Sequence, residues 1–181
     1  MERSSEDRQA TGAGDDQQEP ETDPDSPDLS NLAFTLYIRP GASTVTKERQ
    51  TQIRDRFEGL EEAAVIDEVT VENWSKEVDV PKDGTATDAD AVELFDEFCK
   101  AIEEAPGTGR LEPFFEERPQ VSSFFSTSAT ERVIVFPVLG VTVRREGDLV
   151  GLYPCWFDGT HYSVSNCLDM LEDGESVTNL Q

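Results

Sequence analysis

Positive charge is scarce in this sequence. It holds 15 Lys and Arg, only four of them Lys, against 39 Asp and Glu, a net charge of −24 on 181 residues. A protein that grips nucleic acid needs a basic footprint, so this balance argues against nucleic acid as a partner. Histidine occurs once, as His161, and cysteine three times, as Cys99, Cys155 and Cys167. In a chain without a secretion signal these thiols are expected to be reduced. Long apolar runs are missing as well. The longest, Val133 to Val143, is interrupted by Pro137, Gly140 and Thr142, where about 20 apolar residues would be needed to cross a bilayer. No apolar segment follows Met1, so no signal peptide is expected. The expectation is a cytoplasmic protein with no membrane partner. No Walker-type loop, GxGxxG, HExxH, GxSxG or internal repeat is present, so no motif specifies a reaction or a cofactor, and none is expected.

What is abundant is acid. Residues 1–28 hold ten acidic and two basic residues, three prolines and no aromatic or branched aliphatic residue. A segment of that composition buries too little apolar surface to offset chain entropy, so a disordered acidic leader is expected. The remaining 153 residues still carry a net charge of −16, so the acidity belongs to the folded part too. Excess Asp and Glu with little Lys suits a cytosol near molar salt, where the Debye length falls to roughly 3 Å and like-charge repulsion is screened.

Periodicity divides the rest. Leu32, Phe34, Leu36 and Ile38 alternate along a strand that Pro40 and Gly41 end. Ser43 or Thr44 can cap a helix to about Leu60, with Ile53, Phe57 and Leu60 on one face and Gly59 as a C-cap. Val65 to Trp74 reads as a second strand and Glu77 to Val80 as a short extended piece. Thr85 or Thr87 can cap a second helix to about Glu104, with Val92, Phe95, Phe98, Cys99 and Ile102 as its apolar stripe. Residues 110–130 fit either strands or a loop. Arg132 to Arg145 and Leu149 to Trp156 form a hairpin around Glu146-Gly147-Asp148, and a short helix follows, capped by Ser163 or Ser165. This predicts one α/β domain over residues 29–174, with a mixed sheet in the order β-α-β-α-β-β-α and a frayed end at 175–181.

Two stretches carry a resemblance. FTLYIRPGAS is similar to the first strand and turn of glutaredoxins, and RVIVFPVLGVTVRREGDLVGLYP to the thioredoxin-like stretch in which a proline precedes a strand, a charged Gly turn and a return strand. The resemblance implies a thioredoxin-like three-layer sandwich. It also marks a departure. The positions that match the family's CxxC are Ala42 and Val45, so thiol–disulfide exchange by that route is lost. In the family's cis-proline position, Pro137 would then shape a binding groove without chemistry. The ordered region also resembles small acidic haloarchaeal proteins of undefined activity through LYxR, LEPFFE, the FPVLxVxVxxxGxLVGxYPC hairpin and YxVxxCLDxLE. Some of those carry a helix-turn-helix label, which implies a transcription-associated regulator.

Three groups of residues are candidates for a site. Lys47 and Arg49, with Arg54 and Arg56, make the first helix the most basic part of the chain, and its N-terminus, preceded by Pro40-Gly41, could hold an anion or a phosphate, with Pro137 as a further ligand-binding candidate; a solvated face is the plainer alternative. Phe114-Phe115 and Phe124-Phe125 are candidates for a partner surface or a buried satellite cluster. Cys155, His161 and Cys167 are weak candidates for a metal site with Asp158, or for a nucleophile–base pair, against the simpler reading of buried thiols. The expected function is a non-catalytic binding or regulatory protein with an unknown protein or small-molecule partner. The alternatives are an enzyme or a redox- or metal-responsive protein using Cys155, His161 and Cys167, and the regulator just named.

Overall fold

In the computed structural model, residues 29, 31–81, 86, 88–119 and 130–181 are described; the acidic leader and Phe124-Phe125 lie outside them. The chain is a mixed α/β protein whose first strand organises everything else. β1 (Leu32–Ile38) pairs in parallel with β2 (Val69–Asn73) and antiparallel with β7 (Leu139–Arg145), which in turn pairs antiparallel with β8 (Asp148–Tyr153). The sheet order is β2-β1-β7-β8. A parallel neighbour demands a crossover, and α1 (Thr44–Glu62) supplies it.

Alternation along β1 sends side chains to two cores. Leu32, Phe34 and Leu36, with Val141 and Val143 from β7, face α1 and α3 (Val164–Glu172). There they meet Ile53, Phe57 and Leu60 of α1 and Cys167, Leu168 and Leu171 of α3. Burying each of the large apolar side chains is worth roughly 1.5–3 kcal/mol. The other face carries Tyr37 and Leu152 toward α2 (Ala89–Glu104), whose Ala91, Phe95, Phe98 and Ile102 fill the second core. Arg144 of β7 reaches across to Glu97 of α2 with two hydrogen bonds of 2.6 Å.

Two small sheets flank this second core. One has the order β3-β6-β5, built from β3 (Glu77–Pro81), β5 (Glu116–Pro119) and β6 (Thr130–Val135). The other has the order β10-β9-β4, built from β4 (Gly109–Arg110), β9 (Cys155–Phe157) and β10 (Thr160–Tyr162). The single mixed sheet expected from the sequence is therefore three sheets. The long run from Arg132 to Arg145 divides between two of them, because Pro137 has no N–H to continue a ladder. Trp74 fills the break. Its Nε1–H donates to Pro137 O at 2.9 Å and its ring stacks on Tyr37 at 4.8 Å. A side chain at Gly140 would sit 2.2 Å from that indole.

Local signals hold in several places. Ser43 caps α1, and Ser163 caps α3 in a capping box with Asn166. Glu146 and Gly147, both at positive φ, make the two-residue turn between β7 and β8. Others differ. α1 runs through Gly59 to Glu62, and Asp88 caps α2, while Thr85 and Thr87 lie outside the described residues. Residues 175–181, expected to fray, lie along β8. The Asn179 amide accepts from Leu152 N at 3.0 Å and donates to Leu152 O at 3.1 Å, as a neighbouring strand would. Leu180 N donates to Val150 O, Tyr153 Oη donates to Val177 O, and Val177 is fully buried.

Candidate functional site

The amino-terminal end of α1 is held by a buried amide. Gln50, 7% exposed, donates through Nε2 to Arg39 O at 2.9 Å and to Val138 O at 3.0 Å. Arg39 N also donates to Val138 O, and Arg39 Nη1 to Phe136 O. The end of β1, the start of α1 and the Pro137 segment are thereby fastened together. The sequence brought Lys47, Arg49 and Pro137 into one hypothesis, and the fold brings their elements to one end of the main sheet. Pro137 is half-buried; Lys47 and Arg49 are exposed. Among the described residues the X-Pro bonds in cis are Glu112–Pro113 and Tyr153–Pro154, so Phe136–Pro137 is trans and does not take the cis-proline position that the resemblance implied.

Charge runs along α1 against its dipole. Residues 44–54 hold Lys47, Arg49 and Arg54 with one acid, Glu48; residues 55–62 hold Asp55, Glu58, Glu61 and Glu62 with one base, Arg56. Helices favour the opposite placement by roughly 0.3–1 kcal/mol per charge at low ionic strength. This one instead concentrates positive potential at its N-terminus, where free N–H groups can meet an anion. Arg56 is otherwise engaged, bound at 2.8 Å to both Asp169 and Glu172 of α3, and these carboxylates push its pKa upward. Arg54 pairs with Glu58 and Arg49 donates to Ser165 Oγ, whereas Lys47 has no ion pair among the described residues. Val45, in the first turn, is 76% exposed.

The thiols and the histidine are not gathered. Cys155 and Cys167 are both fully buried, in different cores. Burial pushes the Cys155 thiol up to about 12, only partly opposed by the hydrogen bond from Asn179, and moves Cys167 upward too. Protonated, buried thiols are poor nucleophiles and poor ligands. The β9–β10 register pairs Tyr162 with Cys155 and His161 with Trp156. Successive strand residues point to opposite faces, so His161 turns away from Cys155. Asp158 is occupied as well, accepting from Thr108 N at 2.8 Å. Among the described residues no cluster of three or more His, Cys, Asp and Glu could hold a metal ion.

Of the aromatic pairs, Phe115 is buried against Trp74, Phe98 and Phe136. Phe114 stacks on His161 at 4.7 Å. It ends a row that single-residue reasoning missed. Arg110, Trp156 and His161 lie opposite one another across β4, β9 and β10. The Arg110 guanidinium sits 4.9 Å from the Trp156 ring, and Trp156 lies 5.4 Å from His161. The signal for it was Asp158-Gly159, a two-residue hairpin turn at positive φ.

Fold and site together define a mixed α/β protein with a cationic helix end and an aromatic row on an otherwise acidic surface, and with Cys155 and Cys167 buried. Residues 27–176 match the family described as Helix-turn-helix domain, and the chain belongs to that family. No curated protein and no solved structure matches it significantly. The family corrects the inference drawn from net charge: its description points to nucleic acid as a partner. Net charge averages over the whole chain and misses the basic end of α1. Consecutive helices among the described residues are nevertheless separated by strands, with β2 and β3 between α1 and α2. No described helix is long and apolar enough to cross a membrane.

Proposed function

We propose that this chain is a non-catalytic, transcription-associated regulator that contacts DNA through the amino-terminal half of α1. The observation that carries the reading is its membership, over residues 27–176, of a family described as Helix-turn-helix domain. The charge pattern of α1 indicates which element makes the contact. Lys47, Arg49 and Arg54 meet backbone phosphate, and the helix N-terminus adds its dipole. Exposed Thr44, Thr51 and Gln52 on the same helix supply hydrogen bonds that salt does not screen. That matters if the acidic surface is an adaptation to a cytosol near molar salt, where a few phosphate contacts alone bind weakly.

The scaffold reading is thioredoxin-like. The sheet order β2-β1-β7-β8, with α1 and α3 on one face and α2 on the other, supports it. In this reading Ala42 and Val45 replace the dithiol, and the turn that would house redox chemistry serves as an anion-binding end flanked by Pro137. The test is immunoprecipitation of cross-linked protein from its own cells, followed by sequencing of the recovered DNA. Discrete DNA segments are expected to be enriched, and to be lost in a Lys47→Glu/Arg49→Glu variant present at the same cellular level. Recovery of DNA no better than from untagged cells overturns the proposal.

A further inference from the structure

We infer that the outward face of the β10-β9-β4 sheet is a second binding surface, one that takes single-stranded nucleic acid. The inner face of this sheet is committed to the core through Cys155 and Phe157. The outer face carries the row Arg110–Trp156–His161–Phe114, in which every neighbouring pair is in contact. Arg110 and His161 are exposed, and Trp156 and Phe114 half-exposed.

Three observations point to the occupant. The first is charge. β4, β9 and β10 contain no Asp or Glu, in a chain with a net charge of −24, and Arg110 has no ion pair among the described residues. Glu103, Glu112 and Glu117 line the hollow beside Arg110, and Asp169, Asp173 and Glu175 the one beside His161, so the anion-accepting feature is the unpaired Arg110 guanidinium itself. The second is shape. The row is a run of flat groups: Phe114 stacks on the exposed His161, His161 is tilted against Trp156, and the Arg110 guanidinium lies over Trp156. An unpaired base can lie against the exposed rings of such a row, while a phosphate along the same strand meets Arg110. Duplex DNA keeps its base faces inside and cannot do this; a single strand exposes them. The third is an orphan donor. Trp156 Nε1–H is buried and has no acceptor among the described residues. Buried donors are almost always satisfied, and a base carbonyl or phosphate oxygen can accept from it once the side chains of Arg110 and His161 shift. An acidic peptide would use the cation but leave the stack without a partner.

This surface is distinct from the α1 end, and the experiment separates them. Fluorescence anisotropy of labelled oligothymidylate and of labelled duplex is measured in low salt. The proteins compared are the wild type, Arg110→Gln, His161→Ala and the Lys47→Glu/Arg49→Glu variant. Arg110 and His161 are exposed, so their variants are expected to fold, and the near-ultraviolet circular dichroism of buried Trp74 checks this. Oligothymidylate affinity is expected to fall about tenfold in His161→Ala and in Arg110→Gln, and to stay within about twofold in the α1 variant. Bound oligothymidylate should also change Trp156 fluorescence in the wild type. The inference is overturned if single strand does not bind, if the row variants bind it like the wild type, or if polyglutamate competes as well as the oligonucleotide. Loss of duplex binding alone counts against the α1 reading and leaves this one standing.

Discussion

Replacing Gly140 by Ala tests how the two halves of the fold are joined. The added Cβ would lie 2.2 Å from Trp74 Cη2 and 2.9 Å from Cζ2, closer than non-bonded carbons approach. β7 is held on both sides, by β1 and β8, so the indole must move. Moving it strains the hydrogen bond to Pro137 O, worth about 0.5–1.5 kcal/mol. It also disturbs the stack on Tyr37 and the contacts with Phe115 and Phe136, of similar size. Together with overpacking, the expected loss is about 2–4 kcal/mol, or very roughly 4–16 °C in Tm for a chain of this length. Urea unfolding at fixed KCl measures it. Trp74→Leu is destabilising by itself through the cavity it leaves, but in its presence Gly140→Ala should cost little more. The two changes should therefore fail to add by about 1–3 kcal/mol. A Gly140→Ala protein within about 0.5 kcal/mol of wild type, or strict additivity of the pair, would refute the argument that Trp74 is wedged between Gly140 and the Pro137 segment.

The buried thiols should be silent in the native state: iodoacetamide is expected to spare Cys155 and Cys167 until the protein is unfolded, and fast native labelling of Cys155, read by mass spectrometry, would contradict its burial. Because the Cys155 thiol is held up at about 12, the folded state keeps its proton above the pH where an unfolded thiol, at about 8.5, loses it. The contribution is constant below about pH 8.5 and is lost as pH rises toward 12, so urea midpoints should fall across that alkaline window; a smaller fall in Cys155→Ala would assign it to this group. Asn179→Ala removes both bonds to Leu152 and leaves two β8 backbone groups unpaired, for an expected loss of about 1–3 kcal/mol. Unchanged hydrogen exchange at Leu152 in that variant would show that the amide does not pair with β8.

Much of the frame is legible in the sequence where the signal is local. Leu32 to Ile38 alternates cleanly, Ser43 and Ser163 announce α1 and α3, and Glu146-Gly147 demands the turn it makes. Elements of two or three residues are not legible, because β4, β9 and β10 are too short to show a period. Pro137 marks where residues 132–145 divide, but Trp74, which fills the gap there, is distant in sequence. The docked C-terminus depends on one asparagine imitating a strand, which composition cannot announce. The basic end of α1 was visible residue by residue, but its weight was hidden by a net charge that sums over a helix whose two halves have opposite signs. Cys155 and His161 looked like partners because they are close in sequence; strand alternation sends them to opposite faces.

The central claim, that α1 meets phosphate through its amino-terminal half, is tested most directly by the salt dependence of duplex binding. Three cations, Lys47, Arg49 and Arg54, predict a slope of log affinity against log [KCl] of about −2.7, and the Lys47→Gln/Arg49→Gln protein should fall to about −0.9 with weaker binding at every concentration. Equal slopes for the two proteins, or no duplex binding by the wild type even in low salt, would contradict it.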